Sequence, residues 1–108
     1  MHEIAVANRI IEEAKRQKED VRALKVEVGE LAEISAKEVE EALKQMVDWE
    51  VEVGFVESKI KCSCGFEGRA RIVDRGHGYC VFNCPDCGAS GKSMSVLEGG
   101  EIKIVGVG

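Results

Sequence analysis

Apolar side chains recur at helical spacing near the start of the chain. Ile4, Ala7, Ile10, Ile11 and Ala14 share one face, and Arg9, Glu12, Glu13, Lys15 and Arg16 share the other. A stripe of that period buries itself only as a helix, so a helix is expected almost from the first residue. The pattern then changes to alternation. Leu24, Val26 and Val28 alternate with Lys25, Glu27 and Gly29, which predicts a half-buried strand. Ser35 precedes Glu38 at capping-box spacing, and Ala36, Val39, Ala42, Leu43, Met46 and Val47 continue as a second amphipathic helix. Val51, Val53 and Phe55 alternate with Glu50, Glu52 and Gly54 as a second strand. Ile102, Ile104, Val105 and Val107 predict a last strand, which cannot bury a face alone. It has to return to the sheet made by residues 21–29 and 50–57. The expected architecture is α+β, with two helices packed on a small three-stranded sheet and a lobe inserted between its second and third strands.

Composition locates that lobe. The chain has 108 residues, 44% of them apolar, which suits one compact domain or one domain carrying a small insert. A core of that size is modest, so an added staple would help it. Residues 1–57 carry 8 basic and 15 acidic side chains, residues 58–97 carry 6 and 3, and residues 98–108 carry 1 and 2. All five cysteines and the only proline fall in the middle block. The expected division is therefore a framework domain of residues 1–57 and 98–108 around a domain of residues 58–97. The net charge of −5 argues against a dedicated nucleic-acid binder. No apolar run approaches the ~20 residues needed to span a bilayer, and no signal-peptide segment is expected. The expectation is a cytoplasmic protein with no membrane association.

The cysteines point to the staple. Cys62-x-Cys64 and Cys84-x-x-Cys87 form two short pairs nineteen residues apart, close to the paired-knuckle spacing of a four-thiolate zinc site. Each pair supplies two corners of a tetrahedron, and deprotonated sulfur suits Zn(II). Gly65 and Gly88 each follow the second cysteine of a pair, where glycine allows a tight turn that aims N–H groups at sulfur. An odd cysteine count and a cytosolic setting disfavour disulfides. Cys80 is a fifth thiol that could replace one of the paired ligands by slippage; the preferred reading is a small buried hydrophobe between Tyr79 and Val81. Ile60, Phe66, Ile72, Val73 and Phe82 are the candidate core of this lobe. Four sulfurs close the zinc coordination sphere, so the zinc is expected to be structural.

The N-terminus offers a second metal chemistry. A terminal amine at Met1, the imidazole of His2 and the first backbone amides can converge on one ion. The first N–H groups of a helix have no intrahelical partner and are available as ligands. A planar four-nitrogen set selects Ni(II) or Cu(II) over zinc. The competing reading is a polar helix start, with His2 exposed and Glu3 favourable in the first turn.

Taken together, these features resemble the HypA/HybF family of hydrogenase-maturation nickel metallochaperones. The resemblance rests on Met1-His2-Glu3 opening a helix and on Val26-Glu27-Val28-Gly29-Glu30-Leu31 before a capped second helix. It continues through Cys84-Pro85-Asp86-Cys87-Gly88 and the closing apolar strand. It covers essentially the whole chain; the first pair departs from it, being C-x-C where the family more often has C-x-x-C. The resemblance implies Ni(II) as transient cargo, held by the Met1 amine, the His2 side chain and the backbone nitrogens of His2 and Glu3. It implies structural Zn(II) on Cys62, Cys64, Cys84 and Cys87. It implies delivery to the nickel–iron hydrogenase large-subunit precursor with the GTPase HypB as partner, by a protein that is monomer or homodimer. Urease delivery, seen for some relatives, stays open. His77, flanked by Gly76 and Gly78, is either a turn residue or an auxiliary nickel ligand.

Other classes remain as alternatives. A zinc-ribbon adaptor or nucleic-acid accessory module would use Arg69, Arg71 and Arg75, although stacking aromatics are few. A thiol redox protein would use a metal-free Cys84-Pro85-Asp86-Cys87 with a depressed thiol pKa. No nucleophile beside a base, no phosphate loop and no distinctive carboxylate pair is present, so no enzyme is expected.

Overall fold

The structure is a computed structural model that describes residues 2–76 and 78–108. Helix α1 spans His2–Gln17, strand β1 Ala23–Gly29, helix α2 Ala36–Met46 and strand β2 Glu50–Val56. The inserted lobe follows: β3 Lys59–Cys62, β4 Glu67–Gly68, β5 Arg71–Gly76, β6 Tyr79–Asn83, a 3-10 turn at Gly91–Ser93, and β7 Met94–Glu98. Strand β8, Ile102–Val107, closes the chain.

The first sheet has the order β2-β1-β8. Strands β1 and β2 run parallel, from Ala23 opposite Glu50 to Gly29 opposite Val56. Parallel neighbours need a crossover, and α2 supplies it. Strand β8 returns antiparallel to the other edge of β1, so the sheet is the expected three-stranded one. Its core is built from the predicted stripes. Ala7, Ile10, Ile11 and Ala14 of α1 meet Leu24, Val26 and Val28 of β1 and Val39, Ala42 and Leu43 of α2. Burying a Leu or Val of this kind stabilises the fold by about 1.5–3 kcal/mol. Helix α2 starts where the sequence placed it. The Ser35 hydroxyl accepts from the Glu38 N–H at 3.2 Å, and the Glu38 carboxylate accepts from the Ser35 side chain at 2.9 Å. Such a cap contributes about 1 kcal/mol.

The insert holds a second, smaller core of Ile60, Cys62, Ala70 and Cys84, with Phe66, Ile72, Cys80 and Phe82 packed around it. Its three-stranded sheet has the order β4-β3-β7, and β5 and β6 form a separate hairpin. Val73 departs from its expected core place and is 57% exposed. The β5–β6 register shifts between Ile72 and Asp74, and the bulge turns Val73 outward. Leu31, two residues past the end of β1, is buried in this second core.

The two cores meet at a tight junction. The Gly29 N–H donates to the Glu101 carbonyl at 3.0 Å, the Glu30 N–H to Val56 at 2.8 Å and the Leu31 N–H to Gly99 at 2.9 Å. Neither Gly29 nor Gly99 tolerates a Cβ, because one on Gly29 would run into the Gly99 backbone and one on Gly99 into the backbone of Glu57 and Ser58. Among the described residues, no helix is long and apolar enough to cross a membrane.

Candidate metal centre

Two turns carry the four paired cysteines. In the first, the Cys62 N–H donates to Phe66 O at 2.9 Å and the Gly65 N–H donates back to Cys62 O at 3.0 Å. In the second, the Cys84 N–H donates to Ala89 O and the Gly88 N–H to Cys84 O, both at 2.9 Å. Gly65 has φ +101° and Gly88 has φ +76°, the left-handed region where a side chain is strained. The glycines make the turns, while the N–H groups that reach sulfur come from their neighbours. Phe66 donates to Cys64, Ala89 to Cys87, and Asp86 and Cys87 to Cys84.

The turns converge. The sulfurs of Cys62, Cys64, Cys84 and Cys87 all lie within 4.8 Å of one another. Cys62 Sγ is 3.7 Å from Cys87 Sγ, and Cys64 Sγ is 3.7 Å from Cys84 Sγ. A tetrahedral zinc with bonds of about 2.3 Å requires sulfurs about 3.8 Å apart. The donor set therefore fits Zn(II) in type, number and spacing, and the C-x-C pair does not prevent it. Cys62 and Cys84 face the second core while Cys64 and Cys87 are exposed, so the cluster lies at the lobe's surface.

Proton chemistry points the same way. Desolvation raises the Cys84 thiol, but the Cys87 and Asp86 N–H groups and the thiols of Cys64 and Cys87 outweigh it and bring the pKa to about 7. Cys64 moves up to about 12. The Phe66 N–H favours its thiolate, but desolvation and the three neighbouring sulfurs oppose it more strongly. Cys87 is also raised, with the Ala89 N–H and Cys64 favouring its thiolate and Cys62, desolvation and Cys84 against it. One thiolate at this place suppresses the others, and a soft divalent cation between them removes that repulsion.

Cys80 stands outside the cluster. It is half-buried on β6, with its sulfur 3.4 Å from Arg75 Nη2 and packed against the second core. The three arginines weighed as a nucleic-acid face are turned to partners within the protein. Arg69 and Arg75 bind Glu30, and Arg71 donates to Asn83 Oδ1 at 2.9 Å. Glu30 itself escaped the sequence reading of site residues. The available signal was a carboxylate placed directly before the apolar Leu31, Ala32 and Ile34.

Of the expected nickel ligands, Met1 and the His2 side chain lie outside the described residues, as does His77. Helix α1 begins at His2, with Glu3 in its first turn.

A family model described as HypA, hydrogenase/urease nickel incorporation metallochaperone, matches residues 1–107. The solution structure of the Ni metallochaperone HypA from Helicobacter pylori is similar in fold, with a TM-score of 0.62 and 15% identity over 99% of this chain and 96% of that one. A second solution structure, of a HypA protein, aligns with a TM-score of 0.42 and 17% identity over 95% of this chain and 87% of that one. Comparison with curated proteins finds no match.

Proposed function

Because the chain belongs to the HypA family of hydrogenase/urease nickel-incorporation metallochaperones, we propose that it carries Ni(II) at the start of α1 and hands it to the nickel–iron hydrogenase large-subunit precursor. The family match across residues 1–107 is the observation that carries this reading. The ligands are the Met1 amine, the His2 imidazole and the backbone nitrogens of His2 and Glu3. Support comes from the helix start at His2, since the first N–H groups of a helix lack intrahelical acceptors. The positive helix end opposes a cation by only about 0.3–1 kcal/mol, and Glu3 in the first turn offsets part of that. Deprotonated amides make the affinity fall as pH drops, which gives the cargo a route of release.

Residues 1–57 and 98–108 form the nickel domain in this reading, and residues 58–97 the zinc domain. Cys62, Cys64, Cys84 and Cys87 hold Zn(II), which supplies a closed structural crosslink for a lobe with a small core. HypB is the GTPase partner, His77 is an auxiliary nickel ligand within the partner complex, and the setting is cytoplasmic.

The test is nickel titration of the zinc-loaded protein with an unextended N-terminus, beside His2→Ala, with both metals counted per chain. One Ni(II) with a diamagnetic, square-planar signature in the parent, lost in His2→Ala while zinc stays, is the expected result. Equal nickel binding by both proteins, or by neither, overturns the N-terminal site.

A further inference from the structure

Glu30 is a charged residue at the junction of two apolar cores, and its side chain is 8% exposed. A carboxylate placed there needs a complete set of donors. The donors come from opposite sides. On the connection between β2 and β3, Ser58 gives Oε1 its backbone N–H at 3.1 Å and its hydroxyl at 2.6 Å. From the inserted lobe, Arg69 Nε donates at 3.0 Å to both oxygens and Nη2 at 2.5 Å to Oε2. The Ser58 hydroxyl accepts in turn from the Ala70 N–H at 3.1 Å, and Arg75 donates to the Glu30 carbonyl. The Arg69 contact, led by its hydrogen bonds, holds the carboxyl down to about 2 against the opposing effect of burial, so the group stays ionised.

We propose that Glu30 is a positioning residue that locks the sulfur-bearing lobe to the helix-backed sheet as one rigid body. Backbone bonds at the junction tie the two halves only along the chain connections, and connections alone permit rotation. A forked arginine pair bridging residues 39 apart in sequence removes that rotation. Ala70, which rests on Ser58, belongs to the same core as Cys62 and Cys84. The carboxylate is therefore linked through Ser58 and Ala70 to the core that holds Cys62 and Cys84. The consequence is that any partner meets the cluster and the sheet in one fixed geometry, with the ordering done at folding instead of at docking. This inference does not depend on where nickel binds.

Residual dipolar couplings of the full zinc-loaded chain test it. In the parent, one alignment tensor is expected to fit both halves. Glu30→Gln keeps the size but sets an amide NH2 against the Ser58 or Arg69 donors. Each half is then expected to fit its own tensor while a joint fit fails. Arg69→Gln, changed at a 55% exposed side chain, should do the same. Zinc is expected to stay at one per chain in both variants, which separates unlocking from loss of the metal site. A single tensor that still fits both halves in these variants overturns the proposal and assigns the rigidity to Leu31 and the backbone bonds. Should Glu30→Gln fail to fold, Arg69→Gln decides the matter by the same criterion.

Discussion

Replacing Gly29 with alanine probes the junction with a single methyl group. A Cβ there would sit 2.3 Å from both the carbonyl carbon and the oxygen of Gly99, and 2.8 Å from its Cα. Ordinary carbon–carbon contact is about 3.5–4.0 Å, so the two segments must part by more than about 1 Å. The obstacles are backbone atoms, and no rotamer relieves the clash. The bonds across this gap are the Gly29 N–H to Glu101 O at 3.0 Å and the Leu31 N–H to Gly99 O at 2.9 Å. Parting the segments breaks both, at about 1 kcal/mol each, and overpacking adds about 1–3 kcal/mol. Gly29→Ala should therefore destabilise the protein by about 3–5 kcal/mol, a large share of a small domain's stability. Gly54→Ala is the internal control, in the strand next to β1. Its Cβ would meet Glu27 Cγ at 3.8 Å and Val26 O at 4.0 Å, which is ordinary contact. That variant should be neutral or up to about 1 kcal/mol more stable, because alanine has less unfolded-state freedom to lose. Denaturant unfolding of the zinc-loaded proteins, followed by the single tryptophan Trp49, measures both. A Gly29→Ala stability within about 0.5 kcal/mol of the parent, inside the range of an ordinary surface change, would refute the steric argument.

Two further outcomes follow from the site and the junction. Cys62→Ala and Cys84→Ala should each lose bound zinc and the protection of the Ile60 amide from hydrogen exchange, whereas Cys80→Ala should keep both. Metal counting and exchange rates check this, and zinc loss in Cys80→Ala would place a fifth thiol in the shell. The folded pKa of Glu30, about 2, lies below the unfolded value of 4.5, so the unfolded chain binds the proton more tightly. The stability it contributes is present above about pH 4.5 and is lost as pH falls toward 2. The shift corresponds to about 3 kcal/mol, reduced to about 2 because Arg69 is half in water. The parent-minus-Glu30→Gln stability difference, which cancels the thiolate contribution, should shrink over that window, and a difference flat in pH would count against the assignment.

Much of this molecule is written locally. The stripe from Ile4 to Ala14 and the alternation around Val26 and Val53 mark buried faces, because burial recurs with the period of the element that achieves it. Ser35 and Glu38 cap a helix within a single turn, and each cysteine pair needs only one glycine turn to present two sulfurs together. These features use partners a few residues apart, so residue order alone determined the two helices, the framework strands, the closing strand and the four-sulfur set. Tertiary structure decided what lies between distant segments. The β1 to β2 pairing joins Ala23 to Glu50 across a helix, and only the packed helices choose it over other strand orders. Val73 was expected in the second core, and a bulge set by the facing strand turns it to solvent. Glu30 looks like an ordinary polar residue at a strand end. Its role appears only when folding removes its water and the replacement donors arrive from Ser58 and Arg69, far along the chain. Desolvation creates that demand, and only the assembled fold can answer it.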